Sequence, residues 1–294
     1  MVSDRPCAAR VNGERLRAHL QALEGDRNPL TQPERYLAAQ TYLVTHFQRY
    51  GLKTVFDELS YQGSRFVNVI ARSRVSETMP RLLIGAHLDT VPGTPGADDN
   101  ASGLAVMLET ASVISAELPH APMEYVGFTL EEVGMVGSGH YAAALKRRGV
   151  SLLGMLSLEM VGYVATQQRY PPLLSRFYPP VGNFIGLVAN RRSKPFLHVV
   201  ERAMRSISQL PVETLTLPAN GWMVPESRLS DHAPFWDAGY PALLITDTAF
   251  LRNPHYHQPT DTIETLDLAF LARVCQGVVE AVAALTDSTR STMA

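Results

Sequence analysis

The stretch RLLIGAHLDTVPGTPGADDNASGLAVML, residues 81–108, decides the fold. Its first seven residues are an almost wholly apolar run of strand length, the kind expected of a strand covered on both faces. The Pro- and Gly-rich segment behind it spells a tight polar turn, and from Ser102 apolar residues recur with helical spacing to Leu118. Strand, turn and helix in succession mark an α/β unit. Working outward, comparable strand-length runs occupy 54–59, 65–71, 123–129, 152–158 and 242–246. Helical spacing runs over 13–24, 32–50, 137–148, 194–208, 231–237 and 266–286. This alternation predicts an α/β fold, a single three-layer domain whose mixed, mostly parallel β-sheet is flanked by helices. No repeat or composition shift marks a second domain. The domain is expected over 13–286, with a flexible N-terminal tail at 1–12 and a flexible C-terminal tail at 287–294.

With 294 residues, 46% of them hydrophobic and 18% charged, the chain can bury a large core. A formal net charge of -2 with scattered Lys and Arg argues against nucleic acid or an anionic membrane as partner. Cys7 and Cys275 are the two cysteines, one in the expected tail and one in a helical pattern, so any metal is held by N and O ligands. The opening MVSDRPCAARVNGERL has no apolar h-region and no later apolar run reaches spanning length, so the expected location is cytoplasmic.

The chemistry gathers where strands give way to loops, the place where an open α/β sheet collects its ligands. His87 and Asp89 stand in GAHLDT; at i and i+2 of a strand the Asp89 carboxylate would share a face with the imidazole and orient it. Asp98 and Asp99 follow in GADDNASG. Glu131 and Glu132, in TLEEVG, would point opposite ways in an extended segment, one toward a metal and one toward a water. The glycines that follow them allow a tight turn and close backbone packing. Glu159 ends an otherwise apolar strand, where a carboxylate is costly to bury without a cation. In NPHYHQPTD both His257 and His255 are possible ligands. Near His232, Ser230 or Asp231 would cap a helix, and Asp231 is expected just behind the site. Asp98, Asn100, Ser102, Gly103 and Glu109 also match an EF-hand calcium loop, but that motif needs a helix before it, and LLIGAHLD reads as a strand. The Pro-, Tyr- and Arg-rich segment 163–183 reads as a long ordered loop over the site, and with 217–229 as a source of substrate contacts.

Taken together, AHLDT, GADDNASG, LEEVGMVGS, LEMVG and YHQPTDT resemble the M28 metallopeptidases, a family of cocatalytic zinc aminopeptidases that also contains glutaminyl cyclases. The resemblance covers roughly 16–285. It implies a zinc aminopeptidase/phosphorylase-hydrolase-like fold and two divalent metal ions, zinc, with Asp99 bridging them. His87 and Glu159 would complete one site, Glu132 and His257 the other. It makes Glu131 the general base toward a metal-bridging hydroxide, Asp89 the partner of His87, and Tyr256 a stabiliser of the oxyanion. It also implies a strained or cis peptide after Asp99. Many members carry Asp where Glu159 stands. The M20 peptidases share much of this order, but the 12 residues from His87 to Asp99 and the 98 from Glu159 to His257 are too short for that family and its inserted domain. The expected activity is that of an exopeptidase, an aminopeptidase acting on a peptide substrate with a free N-terminus. The rivals are a single-zinc glutaminyl cyclase-like acyltransferase and a non-catalytic binding module on the same fold.

Overall fold

The computed structural model describes residues 7–76, 78–170 and 174–291. Eight strands form one sheet: β1 (Lys53–Tyr61), β2 (Ser64–Arg72), β3 (Arg81–His87), β4 (Met123–Phe128), β5 (Leu152–Glu159), β6 (Ile185–Asn190), β7 (Val212–Leu217) and β8 (Ala242–Thr246). Their spatial order is β1-β2-β4-β3-β5-β8-β6-β7. The pairs β3–β4, β3–β5, β5–β8 and β6–β7 are parallel, while β1–β2, β2–β4 and β6–β8 are antiparallel.

The seven α-helices are α1 (Gly13–Leu23), α2 (Pro33–Arg49), α3 (Gly103–Glu117), α4 (Val136–Arg147), α5 (Lys194–Arg205), α6 (His232–Ala238) and α7 (Leu268–Ser291). Local chemistry sets several of their ends. The Asn12 side chain accepts the Arg15 N–H to cap α1, Pro33 opens α2, and Gly51, at φ 77°, follows the end of α2. Successive β3 residues face opposite layers. Leu82 and Ile84 pack with α1, α2, α3, α5 and α7, whereas Leu83 packs with α4 and α6. This is the three-layer architecture, with both faces of the central strands covered.

The expected strands and helices all form, and two strands are added. Val212–Leu217 carries Glu213, Thr214 and Thr216 among its apolar residues and is largely half-buried, and Ile185–Asn190 follows directly on the long loop. Only the first lacks the continuous apolar character used to recognise the others; Ile185 to Ala189 is an apolar run of strand length. The chain ends also differ from the expected tails. Cys7–Arg10 forms a 3-10 helix with Ala8 buried, its N–H bonded to Glu280, and α7 runs on to Ser291. Residues 1–6 and 292–294 of those tails lie outside the described residues. By length and hydropathy 268–287 could cross a membrane. In the fold it is a core helix, burying Phe270, Leu271, Val274, Val278 and Val282 against the layer that holds α3 and α5.

Candidate metal centre

Four strands deliver the site at their C-terminal ends: His87 closes β3, Glu131 and Glu132 follow β4, Glu159 closes β5, and β8 leads to the loop that carries His257. The polar turn after β3 brings Asp99 among them. Its peptide bond to Asn100 is cis, as the family resemblance implies. Leu130, Met160 and His257 adopt φ of 56°, 48° and 57°, a left-handed region unusual for such residues, so each of these loops bends sharply at the site. Gly134, at φ 108°, turns the chain after Glu132. Gly137 then lies so close to Thr129 that an added Cβ would sit 2.2 Å from its carbonyl oxygen.

Two trios of donor atoms result, sharing Asp99. In one, His87 Nε2 lies 3.1 Å from Asp99 Oδ1 and 3.3 Å from Glu159 Oε1. In the other, His257 Nε2 lies 3.2 Å from Asp99 Oδ2 and 3.1 Å from Glu132 Oε2. Tetrahedral ligands placed about 2.0–2.1 Å from a zinc ion are about 3.3 Å apart. Although close to both carboxylates, His257 Nε2 is aligned to hydrogen-bond with neither, and the buried Glu132 Oε1 is also without a partner among the described residues. Atoms that approach one another without hydrogen-bond geometry suit a shared cation. The residues present therefore fit zinc.

The electrostatics point the same way. Burial opposes a charge on His87, but Glu159, Asp99 and Glu131 outweigh it and raise its pKa well above the ordinary value. Burial also opposes a charge on His257, yet Asp99 and Glu132 push it up to about 10. Burial alone would raise Asp99; the two imidazoles reverse this and hold it below the usual carboxylate range. Glu132 is pushed up to about 7 by burial and by Asp99. Glu131 is raised well above its ordinary value, chiefly by burial, then by Glu159, Asp231 and Glu132. In the protein alone the surrounding acids favour the charged form of both imidazoles.

A second set of groups holds the donors in place. Asp89 corrects the expected arrangement: it is its backbone carbonyl, 3.0 Å from His87 Nδ1, that orients the ring. The Asp89 carboxylate lies 3.9 Å from that nitrogen and instead accepts the N–H groups of Glu131 and Glu132, each at 3.1 Å. The physical reason is that β3 ends at His87, so the same-face rule of an extended strand no longer applies at Asp89. Glu131 and Glu132 likewise stand in a turn rather than an extended segment, and both carboxylates reach the cleft. Ser230 Oγ donates to Glu159 Oε2 at 2.9 Å. Asp231 is fully buried in the field of His87 and Glu159, and burial is the main reason its pKa is pushed up to about 7. Neither Ser230 nor Asp231 gives α6 a side-chain cap.

Tyr256 lines the cleft with the donors, its ring stacked on His257 at a centroid distance of 3.7 Å. His255 turns away, its Nδ1 2.8 Å from Thr260 Oγ1, so His257 is the histidine that joins the trio. Asp98 is buried, accepting from Asn253 at 2.8 Å and from the Gly162 N–H at 3.0 Å, which leaves no calcium loop. Two positioning residues had no role assigned from the sequence, although Asp261 stands in the YHQPTDT motif. Asp261 accepts the N–H groups of Asp98 and Asp99, and the buried Arg27 guanidinium donates to the carbonyls of Leu88, Pro95 and Gly96 along the turn.

Beside the donors opens a cleft. Tyr170, Leu174 and Tyr178 of the 163–183 loop line one wall and Val224, Glu226, Ser227 and Leu229 another, so both expected loops contribute. Residues 171–173 of the first lie outside the described residues.

A three-layer α/β fold that gathers two abutting trios of N and O donors at its strand ends defines a metal-dependent hydrolase. The model of Peptidase family M28 matches residues 68–282. An uncharacterised protein of Escherichia coli, YfbL, is 34% identical over 255 residues, covering 81% of this chain and 77% of its own length. A probable leucine aminopeptidase of Trichophyton verrucosum is 25% identical, covering 88% of this chain and 69% of its own. Among solved structures, the LapA aminopeptidase of Legionella pneumophila superposes with a TM-score of 0.77 at 19% identity, covering 95% of this chain and 73% of that one. The chain belongs to peptidase family M28 and is a metallopeptidase.

Proposed function

We propose that the protein is a zinc-dependent aminopeptidase that hydrolyses the first peptide bond of a substrate with a free N-terminus. His87, Asp99 and Glu159 would hold one zinc ion and Asp99, Glu132 and His257 a second, with Asp99 bridging. Bound zinc supplies a water whose pKa falls toward about 7 and a positive charge facing the scissile carbonyl. Glu131 takes the proton of the attacking water on its carboxylate and delivers it to the departing amine nitrogen. The observation that carries this role is its place: a carboxylate oxygen of Glu131 lies within 4.8 Å of donor atoms of both His87 and Glu132, one from each trio.

The acidic rim of the trios accepts the substrate's α-ammonium, and the Tyr256 hydroxyl donates to the carbonyl oxygen as it gains charge. The adjoining cleft receives the first side chain. Supporting the aminopeptidase reading are the family and the complete donor set, in which no expected ligand is missing. The test is release of the first amino acid by zinc-loaded protein from a free peptide and from its N-acetylated counterpart. Release from the free peptide alone is expected. Equal cleavage of the acetylated peptide, or no release from either, would overturn the reading.

A further inference from the structure

The floor of the cleft is a single row of sheet positions. Glu159 on β5 pairs with Thr246 on β8, Thr246 with Gly186 on β6, and Gly186 with Glu213 on β7. Paired positions face the same side of a sheet, and all four line the cleft. The next row, Leu244, Val188 and Leu215, lines it as well. Gly186 has no side chain, so the floor is low between the metal centre and Glu213.

Three inter-strand steps of about 4.8 Å separate Glu159 from Glu213 by about 14 Å. Subtracting a hydrogen bond of about 3 Å at each end leaves about 8 Å. That is the length of one extended Lys or Arg residue measured from its α-amine.

The walls suit such a side chain. Tyr170 and Tyr178 stack at 5.7 Å, Tyr178 is fixed by its hydroxyl on the Thr214 carbonyl, and Glu213 exerts its field on both rings. Among the described residues that line the cleft there are Glu213 and Glu226 beyond the trios and Glu131, but no Lys or Arg. Arg205 is the arginine whose charge acts on Glu213, and Arg252 acts on Tyr170. Arg205 is bonded to Glu201 at 3.0 Å, and Arg252 lies over the Phe184 ring, bonded to Gln168 and the Phe184 carbonyl. Burial raises the Glu213 carboxyl, so a cation beside it gains both a partner and a partly desolvated setting.

We propose that the cleft selects peptides whose first residue is long and cationic, arginine or lysine, with Glu213 receiving the charged end and the stacked tyrosine pair lying along one side of its stem. The proposal rests on the aminopeptidase reading above and adds its substrate class.

The test compares kcat/KM of zinc-loaded protein on the anilides of arginine, of citrulline, its uncharged isostere, and of leucine. The wild-type arginine-to-citrulline ratio is expected to be at least about tenfold. It should collapse toward one in E213Q and fall below one in E213K, each variant being checked for an intact melting transition. A wild-type ratio near one, or a ratio unchanged in both variants, would overturn the proposal. If leucine anilide is then still hydrolysed, the aminopeptidase reading survives without it; if no anilide is hydrolysed, both fall.

Discussion

Asp261 accepts the backbone N–H of Asp99, 162 residues earlier in the chain, on its Oδ2 at 3.1 Å. Its Oδ1 accepts the neighbouring N–H of Asp98 at 2.9 Å. One buried carboxylate thus fixes the turn that presents the shared donor, just as Asp89 fixes the turn that presents Glu131 and Glu132.

In Asp261→Asn the side chain keeps a single acceptor oxygen and turns an amide N–H toward one of the two donors. The expected cost is about 1–3 kcal/mol of stability, a fall in melting temperature of roughly 2–6 °C. Zinc affinity, read by competition with a chelator, should drop about 10–100-fold. Unchanged melting and unchanged affinity together would show that the clamp does not position Asp99.

Glu159 reaches His87 with one oxygen and Ser230 with the other. Ser230→Ala removes the 2.9 Å hydrogen bond and frees the carboxylate to rotate. Glu159→Asp shortens the arm so that both partners cannot be met at once. Both variants should weaken one zinc ion of the proposed pair by about 10–100-fold while leaving the other. Titration of metal-free protein with zinc would then show two separated binding steps. A uniform loss at both sites would contradict the division into a Glu159 trio and a Glu132 trio.

Much of this site was legible because each donor stands where an apolar strand breaks into Gly, Pro or acidic residues. The ligand positions follow from those breaks, and their joint order from the family pattern. What was not legible depends on contacts far apart in sequence. Asp261 and Arg27 sit in loops with no periodicity to mark them, and their partners are brought close only by the fold. The Asp89 carboxylate was expected on His87 because the strand was assumed to continue past residue 87. The strand β7 went unread because Glu213, Thr214 and Thr216 interrupt its apolar residues where the cleft leaves one face open, whereas β6 does carry an apolar run, Ile185 to Ala189, directly behind the long loop. Both strands belong to the cleft floor.

His19 and His232 are buried, and burial is the main reason each has its pKa pushed down to about 3. In the unfolded chain an imidazole binds its proton near 6.5. Between about 3 and 6.5 the unfolded state therefore binds more protons, so stability rises with pH across that window. The contribution is complete above about 6.5 and is lost as the pH falls. Against metal-free wild type, metal-free His19→Gln should show a slope of unfolding free energy with pH that is lower by up to about 1.4 kcal/mol per pH unit near pH 5. An identical slope would mean that His19 titrates alike in both states.

The central claim is that Glu131 moves the proton while five other residues hold the metals, and Glu131→Gln tests it most directly. Elemental analysis of that variant alongside wild type, with kcat on an unblocked peptide, should find two zinc ions per chain in both. Turnover in the variant should be lower by about 10²–10⁴-fold. Near-normal turnover with zinc retained would contradict the account, and one zinc ion per wild-type chain would favour the cyclase-like alternative.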